Sequence, residues 1–454
     1  MSAEQDYARW LPELTELMAI RSVGADPAEA ASMTAAAEWL ISRLRAVGAE
    51  TELVRAGRES VVLATIAAQV EPERATTLIV YGHFDVQPIG DPELWESPPW
   101  EATIRDGWLY GRGSIDTKGH LLMYLEALRA VIARGELRVN VRLVIDGAEE
   151  SGGELALDLM RKRHDGVDGV VIFDGPMIAK GRPAFYDAAR GMLAFHLALR
   201  TAARDLHSGQ FGGAAMNAVH ELIKLLAGVL PGAAGRLPEP LRAGVRPLPP
   251  EIVERLPELL TPEQLLGGEG SHPVDDDVAA HMYERLWSEP SLEVNGILGG
   301  EPQLNHMVIP AVAQASVSMR LGPGQDPERI AAALETLLRA AVPPGAELEI
   351  VPRGSAPAAL LPHEGLVLDV ARDAFAGVIG VPPLTVRAGG SLPLLAVFAD
   401  LGIPTVMTGM DLPEGNIHAP NERLWLEHLP AGTAILERIL SDPRFTHPTA
   451  PDKE

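Results

Sequence analysis

The sequence contains no cysteine among its 454 residues. This absence excludes disulfide bonds, catalysis by a thiolate and metal sites built on cysteine sulfur. Any metal ion that the chain binds must therefore be held by imidazole nitrogen and by carboxylate oxygen.

Basic residues are scarce relative to acidic ones, with 38 Lys and Arg against 62 Asp and Glu, which gives a formal net charge of −24. A field of this sign repels phosphate backbones and anionic membranes. The sequence also lacks the run of ~18 apolar residues that a membrane helix requires. Residues 1–20 show no basic segment followed by an apolar run, and they have the spacing of an amphipathic helix. We therefore predict a cytoplasmic protein that binds neither nucleic acid nor membrane.

The length of the chain exceeds what one hydrophobic core usually organises. Between residues 61 and 176, β-rich runs alternate with helical runs, which is typical of a mostly parallel sheet covered by helices. A compact α+β pattern begins near Gly191, and the α/β pattern returns after about residue 360. These changes predict a discontinuous α/β domain with a three-layer architecture at 1–190 and 359–454, interrupted by an α+β domain at 191–358.

The predicted elements follow from the hydrophobic periodicity of each segment and from its turn residues. An Asp106-Gly107 pair between β-formers predicts a hairpin. Strands are predicted at 61–68, 76–83, 139–146, 169–174, 192–201, 291–298, 311–321, 346–352 and 403–409, and helices at 118–134, 153–163, 214–229, 326–341, 364–378 and 424–440.

Acidic and imidazole side chains cluster just past the carboxyl ends of the predicted parallel strands, where open α/β sheets place their sites. The segment YGHFDVQP carries His83 and Asp85, which point the same way on an extended backbone. Glycines surround Asp116 in GRGSIDTKGH and permit a sharp bend. The remaining members of this group are Glu149, Glu150, Asp174 and His418, from DGAEESGG, FDGP and NIHAPNE.

Each cluster also has a simpler structural interpretation. His83 and Asp85 are compatible with an ordinary hydrogen-bonded pair, and Asp116 with a cap for the helix that begins near Lys118. The adjacent Glu149 and Glu150 suit a solvated first helical turn, where the helix dipole favours negative charge. Asp174 before Gly-Pro suits a turn. Two imidazoles and three carboxylates converging from five loops nevertheless favour a metal site.

This set of donors suits zinc, and less specifically cobalt or manganese, and its size suits two ions that share one bridging carboxylate. Such a pair lowers the pKa of a bridging water to about neutrality and polarises a carbonyl group. Hydrolysis also needs a proton shuttle, and Glu149, which is not required as a ligand, is available to take the proton of the water and pass it to a leaving amine.

The motifs GHFDVQP, GRGSIDTKG, EESGG, FDGP, DLHSGQFGG, RAGGSLP and NIHAPNE, taken together, resemble those of a family of di-zinc exopeptidases and deacylases. That family includes carnosinase, cytosolic nonspecific dipeptidase, carboxypeptidase G, succinyl-diaminopimelate desuccinylase and acetylornithine deacetylase. The motifs occur in the order found in the family and span residues 82–422. The dipeptidase branch resembles this chain most, which implies zinc-dependent hydrolysis of dipeptides or short peptides.

The resemblance implies specific roles for the residues of the motifs. Asp116 is expected to bridge two zinc ions, one of which is also bound by His83 and Asp174 and the other by Glu150 and His418. Asp85 is expected to orient His83, and Glu149 to act as the general base. Residues 191 to about 358 resemble the ferredoxin-like lid of the family, which also makes the contact of a homodimer. His207, Arg320 and Ser391 match positions that contact the substrate, and His207 resembles a residue that reaches the active site of the partner subunit.

The sequence departs from the family pattern at two positions. Thr117 follows Asp116 where many relatives have a second aspartate, and Met307 precedes VIP where carnosinase-like proteins usually have threonine. The second difference affects the expected shape of the substrate pocket. Two alternative functions remain. One is an N-acyl-amino-acid deacylase or carbamoylase, and the other is a catalytically silent binding protein. The silent binding protein is disfavoured because all five ligands and Glu149 are present.

Overall fold

The computed structural model of the protein describes residues 7–232, 235–268, 270–301, 303–304, 306–390 and 392–446. Within this part of the chain there are two compact units. The first unit comprises Met1–Asp187, Leu361–Val386 and Val397–Glu454, and the second comprises Ala188–Leu360 and Arg387–Ala396.

The strands of both units are numbered here in chain order. They are β1 (Glu50–Ala56), β2 (Glu59–Ile66), β3 (Thr77–His83), β4 (Thr103–Arg105), β5 (Trp108–Tyr110), β6 (Asn140–Asp146), β7 (Gly169–Phe173), β8 (Ala184–Ala189), β9 (Gly191–Arg200), β10 (Leu206–His207), β11 (Ser291–Leu298), β12 (Val308–Ile309), β13 (Val312–Leu321), β14 (Glu347–Ala356), β15 (Ala359–Leu360), β16 (Leu384–Ala388), β17 (Thr405–Thr408) and β18 (Arg423–Trp425).

The α-helices are numbered in the same way. They are α1 (Leu11–Ala19), α2 (Ala30–Ala46), α3 (Lys118–Ala133), α4 (Leu155–Lys162), α5 (Ser208–Phe211), α6 (Ala218–Ala227), α7 (Pro250–Val253), α8 (Pro262–Gly268), α9 (Asp276–Trp287), α10 (Pro327–Ala340), α11 (Leu366–Ile379), α12 (Pro393–Leu401) and α13 (His428–Leu440). Short 3₁₀ helices occur at Pro27–Glu29, Pro92–Leu94, Glu239–Arg242, Leu256–Glu258, Pro413–Gly415 and Pro443–Phe445.

The first unit is built on a six-stranded sheet with the order β1-β2-β6-β3-β7-β17. The strands β6, β3, β7 and β17 are parallel, and β2 joins β6 and β1 in antiparallel pairs at one edge. All five residues of β7 are buried, which is typical of a parallel strand with both faces covered. The prediction of a mixed α/β fold with a mostly parallel central sheet is therefore confirmed.

The first unit has one continuous hydrophobic core. Almost the whole of α3 is buried, and it packs against α13 and α1. The predicted N-terminal amphipathic helix is α1, which buries Leu14, Leu17 and Met18. The Nζ atom of Lys118 at the start of α3 donates hydrogen bonds to the carbonyl oxygens of Leu17 (3.0 Å) and Ile20 (2.6 Å) at the end of α1. The buried Lys118 side chain thus connects the start of α3 to the end of α1.

The second unit contains an antiparallel sheet with the order β11-β13-β9-β14. Strand β9 alternates between buried and partly exposed residues, so one face of the sheet joins a core that also includes α6 and α10. Asn217 accepts hydrogen bonds from the backbone N–H groups of Val219 and His220 and fixes the start of α6. Asp326 does the same for α10. The second unit therefore combines an antiparallel sheet with helices.

One predicted element is divided in the structure. Residues 424–440 are predicted as one helix, but the segment begins as β18 and becomes helical only at His428. The reason is a long-range contact, because β18 pairs with β5 and the Trp425 ring lies edge-on to Trp108 at 5.1 Å. Cross-strand aromatic contacts of this kind override a local helical pattern. Strand β1 and helix α2 are not among the predicted elements.

Candidate metal centre

Most of the candidate residues lie at or just after the carboxyl ends of parallel strands of the first unit. His83 is the last residue of β3, and Asp174 directly follows β7. Strand β6 ends at Asp146, shortly before Glu149 and Glu150. His418 lies on the segment between β17 and β18. The side chains meet because the carboxyl ends of parallel strands lie at the same edge of a sheet.

The carboxylate of Asp116 lies at the centre of the cluster. Its Oδ1 atom is 3.1 Å from Nε2 of His83, and its Oδ2 atom is 3.0 Å from Nε2 of His418. Asp174 Oδ1 lies 3.6 Å from Nε2 of His83, and Glu150 Oε2 lies 3.0 Å from Nε2 of His418. Each oxygen of Asp116 therefore faces its own pair of one imidazole and one further carboxylate.

The donor set fits a metal ion in both chemistry and spacing. His83, Asp116 and Glu150 each offer one ligand atom, and these three atoms lie within 4.8 Å of one another. Imidazole nitrogen with carboxylate oxygen and no sulfur suits zinc and related divalent ions. The five side chains divide into two groups that share Asp116.

The electrostatics of the cluster favour a positive charge at its centre. Hydrogen bonds to Asp116 and Glu150 raise the pKa of His418 to about 10. Burial opposes a charge on His83, but Asp174 and the hydrogen bonds to the neighbouring carboxylates raise its pKa well above the usual value. Imidazolium groups thus stabilise the acidic cluster, and a bound cation would satisfy the same preference.

Asp116 is an ionised carboxylate in this environment. Burial disfavours its charge, yet hydrogen bonds from His418 and His83 outweigh burial and lower its pKa below the usual range. The alternative role of a helix cap is not the one that it has in the structure. The N-cap of α3 is Thr117, which makes no capping bond through its side chain and instead donates its hydroxyl to the His83 carbonyl at 2.7 Å.

Asp85 contacts His83 chiefly through its main chain. The Nδ1 atom of His83 lies 3.0 Å from the Asp85 carbonyl oxygen and 3.5 Å from Oδ1 of its side chain. The other carboxylate oxygen of Asp85 accepts a hydrogen bond from the backbone N–H of Glu150 at 3.1 Å. Asp85 thus holds both the imidazole of His83 and the backbone of the neighbouring acidic loop.

Glu149 lies among the acidic groups of the cluster and is partly buried. Burial raises the pKa of its carboxyl group to about 8, and the charges of Asp174, Glu150 and Asp116 act in the same direction. A carboxyl group with a pKa near neutrality is suited to exchanging protons.

Two contacts of the cluster were not predicted from the sequence. Gln87 donates a hydrogen bond to Glu150 Oε2 at 2.8 Å, and Glu422 accepts the backbone N–H of Asp116 at 3.2 Å. Both residues lie inside the motifs GHFDVQP and NIHAPNE. The motifs therefore contained a signal for these residues, although nothing in the sequence identified their partners.

His207 and Arg320, two of the candidate substrate residues, belong to the second unit. His207 is exposed at the end of β10, which pairs with β12, and its Nδ1 atom accepts the backbone N–H of Gly209 at 3.0 Å. Arg320 lies on β13, opposite Met192 of β9 and Ser291 of β11. Ser391 lies outside the described residues.

The sequence from residue 79 to residue 442 matches the model of peptidase family M20/M25/M40. The chain belongs to this peptidase family. The family resemblance predicted from the motifs is thereby confirmed, and so is the prediction of a metal-dependent peptidase.

Proteins of known name or structure are similar to nearly the whole chain. The cysteinylglycine-S-conjugate dipeptidase of Corynebacterium striatum is 30% identical over 91% of this chain and 91% of its own length. The structure is similar to that of human carnosine dipeptidase 1, with a TM-score of 0.75 and 26% identity over 96% of this chain and 97% of that one. It is also similar to the M20 metallo-carboxypeptidase Sso-CP2 of Sulfolobus solfataricus, with a TM-score of 0.83 and 26% identity over 95% and 98% of the two chains.

Among the described residues, no helix combines the length and the apolar character needed to cross a membrane.

Proposed function

We propose that this M20 peptidase hydrolyses the amide bond of dipeptides or short peptides with two zinc ions. In this proposal His83 and Asp174 bind one ion, Glu150 and His418 bind the other, and Asp116 binds both. One observation carries the proposal, which is that the two oxygens of Asp116 face two different imidazoles at 3.1 and 3.0 Å. Cobalt or manganese would suit the same donors.

When bound, the metal ions would polarise the scissile carbonyl group and lower the pKa of the attacking water. The residues of the chain then have separate tasks. Glu149 accepts the proton of the water and transfers it to the leaving amine, and burial raises the pKa of its carboxyl group in the metal-free protein. Cations beside Glu149 favour its ionised form, so the carboxylate is ready to act as the base. Asp85 fixes the orientation of His83 through the contact at Nδ1.

Recognition of the substrate is assigned to the second unit. We propose that Arg320 and Ser391 bind the carboxylate or backbone of the peptide. In this proposal residues 191–358 form a lid that also makes the contact of a homodimer, and His207 of one subunit stabilises the oxyanion in the site of the other. The exposed position of His207 is compatible with such a role.

The decisive experiment supplies zinc-loaded protein with a mixture of dipeptides and N-acetyl amino acids and identifies the products by mass spectrometry. The expected result is cleavage of dipeptides, its loss after treatment with a chelator, and its return after zinc is added. Cleavage of the acylated amino acids alone would assign the chain to the deacylases or carbamoylases. No turnover by protein that carries two equivalents of zinc would indicate a silent binding protein.

The cytoplasmic location also remains a prediction. Fractionation of the source cells, followed by detection of the protein beside cytoplasmic and extracytoplasmic marker enzymes, tests it directly.

A further inference from the structure

The buried carboxylate of Glu422 is surrounded by hydrogen-bond donors from one segment of the chain. Its Oε2 atom accepts from Nη1 of Arg112 at 2.7 Å and from the backbone N–H of Gly113 at 3.0 Å. Its Oε1 atom accepts from the backbone N–H groups of Ile115 and Asp116, each at 3.2 Å. Each oxygen therefore has two donors, and three of the four donors belong to the backbone.

The bonds from the backbone determine the path of the segment that presents Asp116. Gly113 has φ +77°, which side chains other than glycine rarely adopt, and the chain turns there beneath Glu422. The backbone N–H of Gly111 also donates to the Glu422 carbonyl at 2.9 Å. The position of the Asp116 carboxylate, which faces both His83 and His418, thus depends on a residue outside the set of candidate ligands.

The same segment of chain that supplies Glu422 also supplies His418. Two of its other residues, Asn416 and Asn421, have φ angles of +55° and +63°, and His418 itself has φ +60°. Conformations of this kind persist only where the surroundings fix them. The Asn421 side chain accepts a hydrogen bond from the backbone N–H of Glu96 at 2.8 Å. It also donates one to the carbonyl oxygen of Leu94 at 2.9 Å. The backbone of segment 416–422 therefore has a defined conformation around His418 and Glu422, the two residues through which it contacts the cluster.

The geometry points to Glu422 as the positioning residue for Asp116: its two oxygens hold the backbone of segment 113–116 so that the Asp116 carboxylate reaches both metal ions. This inference rests on the proposed function, because it takes Asp116 as the bridging ligand. Arg112 has a separate task, which is to neutralise the buried charge of Glu422.

Two substitutions separate the backbone contacts from the ion pair. Glu422→Asp keeps the negative charge but moves both carboxylate oxygens away from the backbone N–H groups. The backbone cannot move with the shorter side chain, whereas the long Arg112 side chain can. Arg112→Lys keeps a cation beside the carboxylate and leaves the three backbone bonds in place. An isosteric third variant, Glu422→Gln, places an amide NH₂ against donors in either orientation, because all four partners donate.

The experiment measures zinc affinity by titrating each metal-free variant with Zn²⁺ against a chromophoric chelator, together with kcat, KM and the unfolding of the metal-free protein. Loss of a group that positions a metal ligand commonly weakens binding by ~10–100-fold. We expect a loss in that range, with a lower kcat and little change in KM, for Glu422→Asp and Glu422→Gln. Arg112→Lys should retain zinc affinity close to that of the wild type.

Glu13→Gln is the control, because Glu13, like Glu422, accepts a hydrogen bond from arginine, in its case from both Arg43 and Arg129, but lies on α1. It should bind zinc like the wild type.

The inference is overturned if folded Glu422→Asp binds both zinc ions with wild-type affinity, or if Arg112→Lys loses as much affinity as Glu422→Asp. Failure of both Glu422 variants to fold, with Arg112→Lys folded, would give Glu422 a purely structural role and would also overturn it. Failure of the proposed function is distinguishable from these outcomes, because the wild type itself would then either not bind two zinc ions or not hydrolyse dipeptides.

Discussion

Oδ2 of Asp116 lies 3.0 Å from Nε2 of His418, although the two residues come from separate segments of the first unit. Oδ1 of the same carboxylate lies 3.1 Å from the other imidazole, that of His83. A carboxylate with both oxygens engaged in this way is suited to binding two cations at once. This relationship leads to a prediction about metal content.

Asp116→Ala should lower the metal content more than alanine at any other proposed ligand. The variant removes a donor from both ions and leaves two cations with less negative charge between them, so they repel each other more strongly. Metal per chain is measured by mass spectrometry after gel filtration. Asp174→Ala and His418→Ala are the comparisons, since each removes a donor from one ion only. Two full equivalents in Asp116→Ala would contradict the bridging role.

Glu149→Gln should retain both metal ions and lose nearly all turnover. The change removes the proton acceptor but none of the proposed ligands, and a general base commonly contributes about 10²–10⁴-fold. Metal content and kcat are measured on the same preparation. The exposed Glu154→Gln on the following segment serves as the control and should have normal activity. Near-normal turnover by Glu149→Gln would show that another group takes the proton.

A mixture of two inactive variants should recover activity if His207 acts across a dimer. Exchange of subunits between His207→Ala and Glu149→Gln chains creates heterodimers in which one site lacks both groups and the other site is intact. Random exchange should restore roughly a quarter of wild-type activity, as follows from the statistics of a two-fold dimer. Mass spectrometry of the intact complexes verifies the exchange. If exchange occurs without recovery, His207 acts within its own chain or has no role in catalysis.

Acid should destabilise the metal-free protein partly through His120. Burial lowers the pKa of this imidazole to about 3, and its Nε2 atom accepts the backbone N–H of Met410 at 3.1 Å. Below pH ~6.5 His120 takes up a proton in the unfolded chain but not in the folded chain. Its contribution to the free energy of unfolding is therefore present above that pH and is lost as the pH falls toward 3. The loss should be about 1.4 kcal/mol per pH unit relative to His120→Gln.

Urea unfolding at several pH values between 7.5 and 5, with a chelator present, measures this difference in the free energy of unfolding. Asp411 lies 3.2 Å from His120, and burial raises its pKa well above the usual value. Asp411 is present in both proteins of the comparison. The exposed His220→Gln should follow the wild type at every pH. Parallel curves for the wild type and His120→Gln would contradict the prediction.

The motifs and strand patterns were sufficient to predict the fold and to place the cluster. His83 ends one buried strand and Asp174 directly follows another, and the apolar composition of both strands is readable from the sequence. Parallel strands bring such residues together. The acidic loop that carries Glu149 and Glu150 also follows a predicted strand. These are local signals combined with a general rule about sheets.

The remaining contacts depend on pairings between distant segments. Glu422 contacts Asp116 across 306 positions of the sequence, and β18 forms because Trp425 meets Trp108. Periodicity reports which face of an element is buried but not which partner covers it. The contact of Gln87 with Glu150 belongs to the same class, since each residue is visible in a motif while their proximity is not.

The discontinuity of the first unit fixes the order in which the proposed metal centre becomes complete during synthesis. The chain leaves this unit at Asp187 and returns at Leu361, so a ribosome releases most of the second unit, Ala188–Leu360, in between. A nascent chain that ends within the second unit already carries four of the proposed ligands but lacks His418, and its Asp116 segment lacks the carboxylate of Glu422. Domains tend to fold as units during translation. We therefore expect the chain to bind metal at full affinity only after segment 416–422 has emerged.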